Sequence, residues 1–207
     1  MLDKIRDALA GNLPGQTPTM SDLVGAPSAQ VKELIRARRR PAAVLIGLLD
    51  RPDGVSVLLT ERSKQLRSHP GQVSFPGGQV DRGDKDLWAT AVREAHEEIG
   101  LAPGGVKPLG YLETYLTVTG FVVTPAVGVI DAPFTPRPDG VEVDEVFEVP
   151  LAFLFDTANL TISHRTRLGT RFRVYEYHYE GHRIWGATAA MLMGMRRQVL
   201  NLPEPDT

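Results

Sequence analysis

The pattern of apolar and polar residues predicts a mixed α/β domain in which strands outnumber helices. Two β-rich runs, 41–50 and 55–62, are joined by Arg51-Pro52-Asp53-Gly54, a sequence typical of a hairpin because proline presets φ and glycine accepts positive φ. Further strands are predicted at 73–75, 110–115, 121–131, 159–163, 171–179 and 183–185, and helices at 28–37, in the segment that ends at Gly100, and at 187–200. Because strands and helices do not alternate regularly, the pattern favours a mixed sheet flanked by helices over a doubly wound parallel sheet.

The two ends of the chain differ in composition from its middle. Residues 1–10 have the charge alternation of a short amphipathic helix, whereas 11–27 are rich in Gly, Pro, Ser and Thr and are predicted to be a linker or a wrapping arm. The folded domain is therefore predicted to span 28–202, followed by a tail at 203–207.

Composition narrows the classes of function. The chain has 207 residues, a formal net charge of −2 and no cysteine. This charge balance argues against a nucleic-acid partner, and any metal ion must be held by oxygen or imidazole ligands. The longest apolar run, near 42–49, is too short to span a bilayer, and the first residues lack a signal-peptide core, so a cytoplasmic protein is predicted.

The helix that ends at Gly100 carries the candidate chemistry. A period of 3.6 residues places apolar side chains on one stripe, which consists of Trp88, Val92, Ala95 and Ile99. Glu94 and Glu98 lie four residues apart beside this stripe, and Glu97 is close to both. Crowded carboxylates raise one another's pKa unless a cation relieves them, and Mg²⁺ or Mn²⁺ prefers oxygen ligands. A solvated acidic face is the alternative interpretation.

Features around this helix favour the metal site. Arg93 can pair with Glu97 one turn later or tie the helix to the preceding loop. The Gly77-Gly78 turn that leads into this loop lets the backbone approach a ligand closely, so a glycine carbonyl can join the metal ligands.

Two adjoining motifs resemble the Nudix hydrolase family. Gly78, Asp84 and Arg93 to Leu101 resemble the Nudix box G-x5-E-x7-R-E-U-x-E-E-x-G-U, with Asp in place of the first Glu, one additional residue before Arg93, and Ala95 at a usually bulky position. Upstream, 58–78 is similar to L-L-T-x-R-S-x-x-L-R-x-H-x-G-Q-V-x-F-P-G-G, the motif of the coenzyme A pyrophosphatase branch. Weaker similarity extends over 41–200.

The resemblance implies a Nudix-type α/β/α sandwich with a mixed sheet between helices. It implies metal-dependent hydrolysis of coenzyme A or its derivatives to 4'-phosphopantetheine and adenosine 3',5'-bisphosphate. The rival substrates are ADP-ribose, a dinucleoside polyphosphate or an oxidised nucleoside triphosphate, and a non-catalytic nucleotide-binding module is a second rival. The oligomeric state is left open, with a homodimer as one possibility.

The resemblance also implies residue roles. Mg²⁺ or Mn²⁺ would be held by Glu94, Glu98 and Glu97 with the Gly78 carbonyl nearby, and Arg93 would orient the glutamates with Asp84 as its partner.

The general base is sought on the helix, at Glu94 or Glu97, or in a later acidic loop, at Glu142 or Glu145, of which Glu145 is preferred.

Substrate contacts are assigned to Arg62, Arg67 and His69, with Arg62, Arg67 or both reading the 3'-phosphate of coenzyme A. The alternatives are a structural ion pair at the strand end for Arg62, a surface charge for Arg67 and an ordering role in the loop for His69. The other histidines, His164, His178 and His182, are interpreted as surface or strand-edge polar residues.

Overall fold

A computed structural model of the chain describes residues 1–14, 23–24, 28–36, 40–117 and 119–203. In chain order these residues form α1 (Leu2–Leu9), β1 (Leu23–Val24), α2 (Ala29–Arg36), β2 (Arg40–Arg51), β3 (Gly54–Arg62), β4 (Val73–Ser74), β5 (Gly77–Gln79), α3 (Leu87–Ile99), β6 (Val106–Tyr111), β7 (Tyr115–Leu116), β8 (Phe121–Ile130), β9 (Val143–Pro150), α4 (Leu151–Phe155), β10 (Thr161–Arg167), β11 (Thr170–Tyr179), β12 (His182–Trp185) and α5 (Ala187–Leu200). Short 3₁₀ turns lie at Pro103–Gly105 and Thr157–Asn159. Among these residues, no helix is long and apolar enough to cross a membrane.

The larger sheet is mixed, as predicted. Its strands run in the order β4-β3-β2-β8-β6, with β5 paired to β2, β7 to β8 and β9 to β3. The pairing of β2 with β8 is parallel, whereas β2 and β3 form the predicted antiparallel hairpin with Arg51 opposite Gly54.

The two faces of the larger sheet are covered by different helices. Alternate residues of a strand point to opposite faces, and in β2 Ala43 and Leu45 pack with α3, whereas Ile46 and Leu48 pack with α1, α4 and α5. The architecture is therefore an α/β/α sandwich, which confirms the predicted fold class. We refer below to the α3 face and the α5 face of this sheet.

The smaller sheet has the order β1-β11-β10, with β12 paired to β11. Its apolar residues Tyr175, Tyr177 and Ile184 join the core on the α5 face. Strand β10 begins at Thr161 rather than at 159, because 157–159 form a 3₁₀ turn in which Asp156 caps Ala158.

Several elements differ from the prediction. The strand predicted at 110–115 is replaced by β6 at Val106–Tyr111 and β7 at Tyr115–Leu116, and the short strands β1 and β5 were not predicted. A longer strand and a helix were also missed. The segment 143–150 forms β9 on the edge of β3, and 151–155 form α4. The strand pattern is hidden because β9 carries acidic residues at three of its eight positions, Asp144, Glu145 and Glu148.

The chain ends were predicted in part. The helix expected in 1–10 is α1, whose Ile5 and Leu9 are fully buried in the core on the α5 face. Ser28 begins α2 as expected, since its hydroxyl accepts a hydrogen bond from the Val31 amide at 3.2 Å. Most of the predicted linker at 11–27 and all but the first residue of the predicted tail at 203–207 lie outside the described residues.

Candidate active site

Helix α3 is fixed at both ends and along one side. Asp86 caps its start by accepting a hydrogen bond from the Ala89 amide at 2.8 Å. Gly100 ends it at a φ of 71°, a conformation that glycine adopts at little cost. The predicted apolar stripe packs on the sheet, with Ala95 and Ile99 fully buried. The acidic side of the helix is therefore held in one orientation next to the Gly77-Gly78 turn.

Arg93 connects the helix to the loop before it. Its guanidinium donates two hydrogen bonds to Asp84, at 2.9 and 3.0 Å, and further bonds to Glu94, Glu97 and the carbonyl of Gln79. Both predicted arrangements of Arg93 thus occur together. These bonds hold the pKa of the Asp84 carboxyl well below its usual range, so Asp84 stays ionised.

The shorter Asp84 side chain is accommodated by its surroundings. Its Oδ2 also accepts hydrogen bonds from the Asp81 amide at 2.8 Å and from the Thr90 hydroxyl at 2.9 Å. The side chain of Asp84 is only 6% exposed. The loop thereby brings an aspartate within bidentate reach of Arg93 even though one additional residue separates them.

Glu98 is the most deeply buried carboxylate of the box, with 5% exposure. Its Oε2 accepts a hydrogen bond from the Gly77 amide at 3.1 Å, and no described residue donates one to Oε1. Burial raises the pKa of Glu98 to about 8, and burial also raises the pKa of Glu94. Ionised carboxylates with an unsatisfied oxygen are stabilised by a hard divalent cation, so these residues fit Mg²⁺ or Mn²⁺.

The two glycines of the turn are required by close contacts. A Cβ added to Gly78 would overlap the carboxylate of Glu94, and one added to Gly77 would overlap the carbonyl of Ala43 and lie 2.6 Å from Cα of Val44. The turn therefore passes between β2 and α3 and brings the backbone of Gly78 against the Glu94 carboxylate, where the Gly78 carbonyl was expected to act.

Substituting Gly78 with alanine is expected to lower kcat by about 10²-fold, since Glu94 must move by roughly 1 Å to make room. The measurement is kcat on a pyrophosphate substrate at saturating metal ion. Gly83→Ala is the matched control, because a Cβ at Gly83 in the following loop meets nothing within 4 Å. Equal kcat for Gly78→Ala and the control would contradict the close contact.

Glu142 lies near the box on the α3 face. It precedes β9, and its Oε2 lies 3.6 Å from Nη2 of Arg62 at the end of β3. Besides burial, the charge of Glu142 raises the pKa of Glu94 and Glu98, whereas the charge of Arg62 lowers the pKa of Glu98. Arg62 and Glu142 therefore act electrostatically on the box glutamates.

Glu145 does not lie on the α3 face with Glu142. It belongs to strand β9 rather than to a loop, and it stands directly opposite Glu61 of β3. Phe147, two residues further on the same side of β9, packs in the core on the α5 face, whereas Val146 packs with α3. Alternation along the strand therefore places Glu145 on the face opposite the box.

The remaining predicted contacts lie in the loop 63–72. This loop is closed by hydrogen bonds between the Arg62 amide and the Gln72 carbonyl, at 2.9 Å, and between the Gly71 amide and the Arg62 carbonyl, at 3.0 Å. Arg67 is exposed within it. His69 is also exposed, with a φ of 56°, and its Nδ1 lies 2.8 Å from the Gln72 side chain, a contact that orders the loop.

Sequence reasoning missed the surroundings of His182. This histidine is mostly buried, with a side chain 14% exposed, and it lies between Glu61 and Glu145. The three residues lie on three separate strands and so leave no local motif in the sequence. The pairing of β3 with β9 and the packing of β12 against them bring the three together.

The chain is similar to known proteins in sequence and in fold. A family model described as NUDIX domain matches residues 38–164. A Photorhabdus laumondii protein described as uncharacterized Nudix hydrolase NudL is 41% identical over 160 residues, which are 77% of this chain and 85% of that protein. A Salmonella paratyphi B protein of the same description is 42% identical over 161 residues, 78% and 83% of the two chains. Among solved structures, the Nudix hydrolase RenU from M. smegmatis matches with a TM-score of 0.54 and 19% identity over 82% of this chain and 92% of that chain, a likeness of fold.

Proposed function

The chain belongs to the Nudix hydrolase family, whose enzymes are pyrophosphohydrolases, and from that premise we propose that it hydrolyses the pyrophosphate link of coenzyme A or one of its derivatives. The products would be 4'-phosphopantetheine and adenosine 3',5'-bisphosphate. The observation that supports coenzyme A as the substrate is the coenzyme A-type motif at 58–78. This motif is one continuous segment that includes the end of β3, the loop 63–72 and the Gly77-Gly78 turn. We expect a substrate that binds at this turn to contact the loop that leads into it.

The carboxylates of the box are the proposed ligands of the cation. Glu94, Glu98 and Glu97 would hold Mg²⁺ or Mn²⁺, with the carbonyl of Gly78 beside them. When bound, the ion would neutralise charge on the pyrophosphate and lower the pKa of the attacking water. Arg93 is a positioning residue, because its donors are occupied by Asp84, Gln79, Glu94 and Glu97. The identity of the ion would follow from comparing kcat with each metal.

We propose Glu142 as the residue that accepts the proton from water. It is exposed, it lies on the α3 face, and its charge reaches both Glu94 and Glu98. Glu145, the preferred candidate in the sequence, lies on the other face of the sheet. The carboxylate of Glu142 lies 3.6 Å from Nη2 of Arg62, whose charge also acts on Glu98.

Glu142→Gln is expected to lower kcat by about 10²-fold with little change in metal affinity, because the amide cannot take a proton. Glu145→Gln, three residues later in the same segment, is the matched control and should retain kcat. The two variants are compared by steady-state kinetics over a range of metal concentrations. Unaltered kcat in both variants would move the base to Glu94 or Glu97.

We further propose that Arg67 recognises the 3'-phosphate of coenzyme A. Arg67 is exposed in the loop 63–72, whereas Arg62 is already paired with Glu142. An arginine forms bidentate, charge-assisted hydrogen bonds with phosphate, which a solvated lysine does less well.

Coenzyme A is then expected to exceed dephospho-coenzyme A in kcat/KM by about 10-fold, and Arg67→Ala should bring this ratio close to one. Lys64→Ala tests the effect of removing a positive charge from the same loop and should leave the ratio unchanged. Equal kcat/KM for the two substrates in the unmodified protein would exclude recognition of the 3'-phosphate.

The proposed function is tested by mass spectrometry of the products after coenzyme A is incubated with the protein and Mg²⁺ or Mn²⁺. Phosphopantetheine and adenosine 3',5'-bisphosphate are the expected products, and Glu98→Gln should form neither. ADP-ribose, a dinucleoside polyphosphate and a nucleoside triphosphate are assayed in parallel. A higher kcat/KM for any of these three than for coenzyme A would overturn the proposed substrate and retain the pyrophosphohydrolase chemistry.

A further inference from the structure

Three side chains from three different strands meet on the α5 face of the larger sheet, away from the box. Glu61 comes from the end of β3, Glu145 from β9 and His182 from the start of β12. Each offers one ligand atom, and these atoms all lie within 4.8 Å of one another. We propose that Glu61, Glu145 and His182 bind a second divalent cation, one that accepts both nitrogen and oxygen ligands, such as Zn²⁺ or Co²⁺.

The contacts of the imidazole show why a cation suits this position. Nδ1 of His182 lies 3.1 Å from Oε2 of Glu61, and Nε2 lies 3.6 Å from Oε1 of Glu145. A neutral imidazole has one nitrogen that donates and one that accepts, whereas an ionised carboxylate only accepts. One of the two nitrogens therefore directs its lone pair towards a carboxylate oxygen, and a metal ion or a second proton between them removes this repulsion.

The ring of His182 is held in place by an aromatic contact. It stacks on Phe147 with a centroid separation of 3.8 Å and an angle of 8° between the planes. Phe147 lies two residues after Glu145 and on the same side of β9, so one strand supplies both the ring support and one carboxylate. A fixed imidazole loses little freedom when it binds a metal ion, and the orientation of a histidine ligand is commonly set by such neighbours.

The donor set distinguishes this site from the box. The box offers oxygen ligands only, which suits Mg²⁺, whereas imidazole combined with carboxylates suits Zn²⁺ and Co²⁺. Lys64 lies 3.6 Å from Oε1 of Glu61, but its side chain is 77% exposed and can move away into solvent. An ion held here would join β12 of the smaller sheet to β3 and β9 of the larger sheet.

The site is tested with the full chain, prepared free of metal and without a histidine tag, in the Glu98→Gln background that weakens the box. Co²⁺ binding is measured by equilibrium dialysis and by visible absorption, which reports the coordination geometry of the bound ion. We expect one Co²⁺ per chain, and at least a 10-fold weaker affinity after His182→Gln or Glu145→Gln. His178→Gln is the matched control, since His178 pairs with one carboxylate, that of Glu176, at 2.7 Å on an exposed strand position.

Two results would overturn the proposal. One is equal Co²⁺ affinity with and without His182→Gln and Glu145→Gln, and the other is Co²⁺ binding that disappears with Glu98→Gln alone. The second result would mean that the Co²⁺ was bound by the box and not by His182 and its two carboxylates. Glu145 is 56% exposed, so Glu145→Gln is expected to fold even if His182→Gln does not, and circular dichroism verifies both.

Discussion

Glu98→Gln is expected to reduce pyrophosphate hydrolysis by at least about 10³-fold and at the same time to raise the thermal midpoint of the metal-free protein. The loss of activity follows because the amide cannot serve as an anionic metal ligand beside Glu94. The gain in stability follows because the carboxylate is buried, with 5% exposure and a single hydrogen bond, from the Gly77 amide, among the described residues. Function and stability thus separate at one residue.

The gain in thermal stability from Glu98→Gln should depend on pH. Burial raises the pKa of Glu98 to about 8 in the folded protein, whereas an unfolded glutamate titrates near 4.5. Between these two values the folded state binds more protons than the unfolded state, so the stability of the unmodified protein falls as pH rises. Glutamine has no such titration. The difference in thermal midpoint should therefore be small near pH 4.5 and largest above pH 8.

Calorimetry of metal-free samples from pH 5 to 8.5 measures this effect, where about 1 kcal/mol corresponds to roughly 2–4 °C for a chain of this size. Glu33→Gln, an exposed glutamate of helix α2, is the control and should change neither activity nor the pH profile. A large loss of stability with activity retained would return Glu98 to a purely structural role.

Arg93→Lys is expected to lower kcat by about 10²-fold and the free energy of unfolding by about 1–3 kcal/mol. An ammonium group cannot contact Asp84 in bidentate fashion while it also contacts Glu94, Glu97 and the Gln79 carbonyl. The glutamates would lose their fixed positions, so the affinity for Mg²⁺ should fall together with kcat while KM changes less.

Arg51→Lys provides the comparison for Arg93→Lys. Arg51 also makes two hydrogen bonds to one carboxylate, that of Glu148, but it lies at the hairpin turn between β2 and β3. Its replacement should lower stability with kcat preserved. If Arg93→Lys had the same kcat and metal affinity as Arg51→Lys, Arg93 would not position the glutamates.

Local patterns accounted for much of the fold and of the box. The 3.6-residue period of α3 predicted which side of the helix packs on the sheet, and the turn at 51–54 predicted the hairpin. The sequence also indicated that Arg93 would pair with Glu97 or contact the preceding loop, and it does both. These features depend on neighbours within a few residues, where spacing alone determines which side chains can meet.

Features that depend on strand pairing were not predictable in the same way. The two acidic candidates Glu142 and Glu145 are three residues apart, yet they lie near opposite faces because one precedes β9 and the other lies within it. The environment of His182 depends on the register of β9 with β3 and on the packing of β12 against these two strands, which no local pattern determines.

The burial of α1 has a consequence for how the chain is synthesised and folds. Ile5 and Leu9 pack into the core of the α5 face, and α1 contacts α5, so two helices that are far apart in the sequence complete the same layer. During synthesis α3 can pack on β2 soon after both have emerged from the ribosome, whereas the opposite layer must wait until α5 has emerged. Contacts between such distant segments slow folding, and until they form the apolar residues of α1 are exposed to chaperones and to aggregation.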